Sequence, residues 1–215
     1  MSSSYEKEVK ESGIKDNNLS KRIDFGMMKY LWMANPLSKV RRDSIPRFLR
    51  NVELLKNFSD NELRILAKFM HSRKFSESDV VFREGEIGIG FYFIFSGLIE
   101  LSKADYGHEV GEEKFLILDE FSYFGEMALL QDGNPRSATA IAKSPCELIG
   151  IFKPDLEQLI ENHPIIAAKL IQSISLALAD RLYFLTEEAS KISRRLRKLE
   201  RQIAEKKLEE QEAKK

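Results

Sequence analysis

The stretch Tyr123-Phe-Gly-Glu-Met-Ala-Leu-Leu-Gln-Asp-Gly-Asn-Pro-Arg-Ser-Ala-Thr139 decides the fold of this chain, because it sets helix-forming residues among strand-forming ones. Gly125 to Leu130 suits a short helix, and a helix start turns backbone N–H groups and the positive end of its dipole toward any nearby anion. Gly125 allows close approach to the backbone. Glu126 offers an acceptor suited to a ribose hydroxyl. Arg136, just ahead of a strand, offers a forked cation suited to a phosphate. Ser137 adds a small hydroxyl beside it. An acceptor, an amide nest and one arginine together describe a ribose-phosphate pocket.

Outward from this stretch, short apolar runs recur between about Ser72 and Phe152: Val80 to Phe82, Phe91 to Phe95, Leu98 to Leu101, Phe115 to Leu118, Ser137 to Ala142 and Glu147 to Phe152. Turn signals separate them, among them Glu84-Gly85-Glu86, Ser96-Gly97 and Asp132-Gly133-Asn134-Pro135. Many short strands at such spacing predict a closed all-β roll or sandwich. Ser59-Asp60-Asn61-Glu62 predicts a helix start ahead of them, with Leu63, Leu66, Ala67 and Met70 on its apolar side. Pro154 opens a helix after the last strand, and His163-Pro164 restarts one that meets no breaker to the C-terminus. Residues 1–20 read as a polar tail, and 21–50 as an N-terminal helix (Ile23 to Met33) with a linker. Residues 51–162 read as the roll, and 163–215 as a C-terminal lid or coiled-coil helix. The predicted class is therefore mainly β with flanking helices: a β-roll (double-stranded β-helix or jelly roll) plus a long C-terminal helix.

In that last helix Leu182, Leu185, Ala189, Ile192, Leu196, Leu199 and Ile203 alternate steps of three and four, a heptad seam. A lone helix with an uncovered apolar stripe is poorly stabilised in water, so the seam predicts a homodimer.

The cassette at 123–139 resembles that of the cyclic-nucleotide-binding domain family, which includes catabolite activator protein and the regulatory subunits of cyclic-AMP-dependent kinase. Phe124-Gly125-Glu126 and Pro135-Arg136-Ser137-Ala138 carry the family pattern. Phe82-Arg-Glu-Gly-Glu86, Tyr92-Phe-Ile-Phe-Ser-Gly97 and Pro145-Cys-Glu-Leu148 look like its other landmarks, and the likeness runs from about Asn51 to Leu185. It implies a receptor for cyclic AMP, or cyclic GMP, bound at Phe124, Gly125, Glu126, Met127, Ala128, Arg136, Ser137 and Ala138. The glutamate would take the ribose 2′-hydroxyl and the arginine the cyclic phosphate. The base would lie under the following helix, with Arg181, Leu185 and Thr186 as candidates. The competing reading has Arg181 and Thr186 facing water, and the sequence does not choose between them. Ser137 does not choose between the two nucleotides. Phe121 and Ile89 depart from the family pattern, where they are expected to alter loop shape or add apolar contact to a base.

Other classes fit less well. A metal-dependent enzyme on a similar roll needs clustered ligands, whereas His71, His108 and His163 are scattered. No nucleophile elbow, Walker loop or metalloprotease motif occurs, so no catalysis is expected. A transcriptional regulator of the catabolite activator type would need a helix-turn-helix after the roll. Only one charged helix follows, with ten Lys/Arg against five Glu over Ser190 to Lys215. Nucleic-acid binding through that helix is the alternative function, as is a scaffold that has lost ligand dependence. Arg41-Arg42-Asp43-Ser44 resembles a kinase site, but a four-residue match in a polar linker carries little. Lys+Arg and Asp+Glu are both 34, which favours neither nucleic acid nor membrane as a bulk partner. One cysteine, Cys146, fits a reducing compartment. The first residues lack the apolar core of a secretory signal, and no run reaches the length of a membrane span. The expectation is a soluble cytoplasmic receptor that signals to an effector protein.

Overall fold

A computed structural model describes residues 44–103, 114–131 and 133–212. The polar tail, the Ile23 to Met33 helix and Arg41 to Asp43 lie outside them. Contacts divide the chain into two units, Met1–Ile171 and Gln172–Lys215.

Among the described residues, the first unit opens with helix α1 (Ile45–Arg50), a 3-10 turn (Glu53–Leu55), helix α2 (Asp60–Leu66) and a second 3-10 turn (Ala67–Phe69). Helix α2 starts at the predicted capping box. Glu62 N–H donates to Ser59 Oγ at 3.3 Å, and Ser59 N–H donates to Glu62 Oε2 at 2.7 Å. Lys169 donates to both Glu62 carboxylate oxygens, at 2.7 and 3.0 Å. That ammonium is the main reason the Glu62 carboxyl sits below its ordinary range.

Among the described residues, eight strands follow: β1 (His71–Phe75), β2 (Val80–Phe82), β3 (Gly90–Ser96), β4 (Ile99–Lys103), β5 (Lys114–Leu118), β6 (Tyr123–Phe124), β7 (Thr139–Ala142) and β8 (Cys146–Phe152). They form two antiparallel four-stranded sheets, in the orders β1-β8-β3-β6 and β2-β7-β4-β5. Non-sequential neighbours in both sheets are what a rolled, mainly β domain requires, and the predicted class holds. A one-turn helix, α3 (Met127–Leu130), separates β6 from β7, and α4 (Lys153–Asn162) follows β8.

The two sheets use hydrophobicity differently. In β7 every second residue is buried, the signature of a sheet with one face to solvent. In β8 all seven residues are buried, and in β3 the first five. Tyr92, Ile94, Leu148 and Phe152 join the core between the sheets. Phe91, Phe93, Ile149 and Ile151, of opposite parity, are also fully buried, because α3 lies against β3 and α4 against β8. A strand covered on both faces reads as a continuous apolar run, which explains Phe91 to Phe95.

Helix α5 (Pro164–Glu212) crosses into the second unit without a break. In the second unit Leu182, Leu185, Ile192, Leu196, Leu199 and Ile203 are all more than half exposed in the single chain. Tyr183 and Phe184, off the seam, are exposed as well, so the apolar surface near Leu182 is wider than the heptad alone implies.

Burial of β8 has a chemical consequence. Cys146 is 4% exposed, and its thiol is pushed up to about 12, mainly by burial and then by the charge of Asp79. The thiolate is the nucleophile. Iodoacetamide at pH 8 should therefore leave the native protein unlabelled and label it fully in denaturant, read by intact mass. Rapid labelling of the native protein would show that β8 does not lie in the core.

Candidate functional site

Arg136 precedes β7, and its backbone is fixed by the turn after β2. Arg136 N–H donates to Glu86 O at 2.7 Å, and Gly85 N–H donates to Arg136 O at 2.9 Å. Gly88 N–H donates to Asn134 O at 3.1 Å, and Ile87 bridges to Pro135. The segment 85–88 thus zips to 134–136 along its backbone. Glu84 N–H extends the link by donating to Thr139 Oγ1 at 3.0 Å.

This backbone clasp aims the Arg136 side chain inward, where only 5% of the residue stays exposed. Its guanidinium carbon lies 3.9 Å from the centroid of the Phe82 ring and 5.5 Å from that of Tyr92. Nη2 donates to Gly90 O at 3.0 Å and Nη1 to Gly125 O at 3.3 Å. A buried charge is costly unless its hydrogen-bonding groups are met. Two carbonyls and an aromatic face lower that cost here, and they also fix the plane of the fork.

Two glycines leave room for it, and a third accepts from it. A Cβ on Gly88 would meet Arg136 Cζ at 3.0 Å and Ala128 Cβ at 2.9 Å. A Cβ on Gly125 would meet Arg136 Nη1 at 2.7 Å, and Gly125 also carries φ +79°. Gly90 supplies the carbonyl that receives Nη2.

Glu126 is 4% exposed and stands at the start of α3 without capping it through its side chain. The cassette thus carries a buried acid and a buried base. Phe124 and Ala128 are buried, Gly125 and Ala138 half-buried, and Met127 and Ser137 exposed. The amide nest is smaller than the sequence leads one to expect. Ala128 N–H turns back to Gly125 O at 3.2 Å and Leu129 N–H to Glu126 O at 3.1 Å, so the helix itself uses both.

Contacts therefore bring together Gly125, Ala128 and Arg136 of the expected residues. Arg181, Leu185 and Thr186 lie in the second unit, all exposed, and Thr186 Oγ1 donates to Leu182 O at 2.8 Å, one turn back in its own helix. Phe82, Gly88, Gly90 and Tyr92 were not among the expected site residues. The signal available for two of them was the spaced glycine pair in Gly88-Ile-Gly90.

Neither departure from the family pattern has the structural role that contact with a base would require. Ile89 is 4% exposed and packs in the core between the sheets. Phe121 does alter its loop, with φ +68°. Its ring stacks on Phe48 of α1, with centroids 5.4 Å apart and planes at 22°. An aromatic contact of about 0.5–1.5 kcal/mol offsets part of the cost of the left-handed backbone there.

Among the described residues no three His, Cys, Asp or Glu side chains gather as metal ligands. No helix among them is long and apolar enough to cross a membrane.

Residues 72–163 match the family model described as cyclic nucleotide-binding domain. The cAMP-dependent protein kinase regulatory subunit of Blastocladiella emersonii is 36% identical over 121 residues, which is 56% of this chain and 29% of that protein. The cyclic AMP receptor protein of Thermus thermophilus is 29% identical over 123 residues, 57% of this chain and 55% of that protein. The match thus spans little more than half of one relative and under a third of the other. Among solved structures, the Thermus thermophilus catabolite activator protein superposes with a TM-score of 0.58 at 28% identity, covering 65% of this chain and 62% of that one.

The glycine contacts separate space from conformation. Gly85 and Gly125 share φ +79°, but a Cβ at Gly85 meets nothing within 4 Å. Gly85→Ala should cost about 1–2 kcal/mol of stability from the left-handed backbone alone. Gly125→Ala should cost a further ~1–3 kcal/mol, because Arg136 must leave its two carbonyls. Denaturant unfolding of both variants checks the difference, and equal losses would mean that Arg136 does not pack against Gly125.

Proposed function

We propose that this chain, whose residues 72–163 match the cyclic nucleotide-binding domain model, is a receptor for cyclic AMP, without catalysis of its own, that passes occupancy through its helices to an effector. The observation that carries this reading is the buried acid and buried arginine of one cassette, Glu126 and Arg136. A surface salt bridge needs no such burial. A guanidinium plane fixed by Gly90 O, Gly125 O and the Phe82 ring suits a compact cyclic monoanion.

The residues fit the ligand as follows. Arg136 donates to the cyclic phosphate, and Ser137 adds a hydroxyl at the rim. Glu126 accepts from the ribose 2′-hydroxyl. Phe124, Gly125, Met127, Ala128 and Ala138 form the wall through which the backbone approaches the ribose phosphate. Arg181, Leu185 and Thr186 are assigned to the base, Arg181 by stacking. Cyclic AMP is placed first because the names of two relatives carry it, and cyclic GMP stays the second candidate because a cGMP-dependent protein kinase is 31% identical over 106 residues. The cytoplasm, where such a second messenger acts, is the proposed location.

Calorimetric titration tests the reading. Cyclic AMP should bind more tightly than AMP, and Arg136→Ala should lose ~2–5 kcal/mol of binding, a factor of about 30 to several thousand, with the roll still folded by circular dichroism. Absence of heat and of any thermal shift with cyclic AMP and cyclic GMP would end the receptor reading.

The second unit is proposed to pair with that of another copy. Its exposed seam, Leu182 to Ile203, supplies apolar area worth about 25 cal/mol per Å² buried. Association costs ~4–15 kcal/mol, so the balance is narrow. Sedimentation velocity should show a dimer for the full chain and a monomer for Ile192→Lys/Leu199→Lys. A native chain that stays monomeric at about tens of micromolar would remove the dimer from the mechanism.

A further inference from the structure

Helices α1 and α2 border a cleft of about 1020 Å³ that lies ahead of the nucleotide-binding segment. Pro46 and Ala67 contribute its uncharged lining, and Arg47, Arg50, Asp60, Arg64 and Lys68 its charged lining. Among the described lining residues, four cations against one carboxylate leave +3, in a chain whose net charge is zero.

The single carboxylate is already engaged. Arg50 Nε and Nη2 both donate to Asp60 Oδ1, the first at 3.0 Å, and Arg50 Nη1 donates to Phe58 O at 2.6 Å. Arg50 and Asp60 therefore cancel, and Arg50 works as a brace between the two helices. Arg47, Arg64 and Lys68 are exposed, and among the described residues none of them pairs with a carboxylate. Arg64 near the end of α2 and Lys68 in the 3-10 turn after it both line the recess, so two like charges share it. This cluster contributes nothing to the fold that the described contacts reveal, and it raises the local potential instead.

We propose that this cleft docks an acidic peptide segment of a partner protein. Guanidinium forks match carboxylates in paired geometry. The aliphatic stems of Arg and Lys, with Pro46 and Ala67, add apolar wall for the peptide backbone and small side chains. The cations line a recess between two helices rather than a flat face. An extended peptide can place successive carboxylates into such a recess, whereas a bilayer or a duplex meets a broad surface. Helix α1 also carries Phe48, which stacks on Phe121 of the roll, so a peptide held on α1 bears on a helix already packed against the nucleotide-binding domain.

The test uses the full chain and a fluorescein-labelled decaglutamate peptide, followed by anisotropy at about 50 mM salt. Saturable binding is expected. It should weaken roughly tenfold or more in Arg64→Glu/Lys68→Glu, weaken in the same direction in Arg47→Glu on the other wall, and fall steeply toward about 0.5 M salt. Arg194→Glu/Arg197→Glu, which removes exposed cations from α5, should bind as the native protein does. Cyclic AMP titration of each variant, expected to be unchanged, reports an intact roll and is read separately from peptide binding. No peptide binding, equal binding by the cleft variants, or binding only of phosphatidylserine vesicles or a single-stranded oligonucleotide would each overturn the proposal.

Discussion

A guanidinium withdrawn from water makes demands on everything around it, and Arg136 is the group to which much of this roll is fitted. Its charge is met by Gly90 O and Gly125 O and by the face of Phe82. Those partners come from β3, from the turn before α3 and from β2. The fork can be held only if all three segments are in place, so the residue reports on the assembly of the roll as much as it serves a ligand. Gly88 and Gly125 are glycines because a Cβ at either position would enter the volume that Arg136 occupies. Removing the arginine leaves two buried carbonyls to find other donors, and removing a glycine displaces the arginine.

The platform beneath this arrangement owes its rigidity to a sheet buried on both faces. Tyr92 and Ile94 face the core between the sheets, while Phe91 and Phe93 pack against Tyr123 on the other side, the first edge-on and the second tilted. Close-packed aromatic layers of this kind transmit displacement rather than absorb it. At the edge of the same layer, Phe48 touches both Phe95 of β3 and Phe121 of the following loop. Helix α1 is thereby tied to the strand that supplies the Gly90 carbonyl. A left-handed phenylalanine at 121 is the local cost of that tie, and it explains why a bulky residue stands where the family pattern favours a small one.

Much of this architecture is written locally. The capping box at Ser59 and Glu62, the short helix after Gly125 and the strand runs between turn signals rest on interactions a few residues long. A sequence states such interactions directly, and the structure places helix α2, helix α3 and six of the eight described strands where the sequence puts them, while β1 and β6 fall outside its apolar runs. That Glu126 and Arg136 fall in one cassette was also legible, and both are buried there.

What the sequence could not state is which distant atoms meet. Nothing in Phe82, Gly90 or Tyr92 by itself marks them as partners of Arg136, because that contact exists only after β2, β3 and the 134–136 segment have been brought side by side. Ile89 and Phe121 show the same limit. Each was expected to alter loop shape or to add contact to a base, and long-range packing sends Ile89 into the core and Phe121, its loop turned left-handed, onto Phe48. A helix start after Gly125 suggested free amides, and the turn of α3 itself uses those of Ala128 and Leu129. The sequence by itself determined the class of the fold, the cassette and the chemistry of its acid and base, because those follow from residue type and short spacing. Tertiary structure alone decided the stacking, the carbonyl partners and the glycine clearances around Arg136, because burial and distance belong to the folded chain and not to its order of residues.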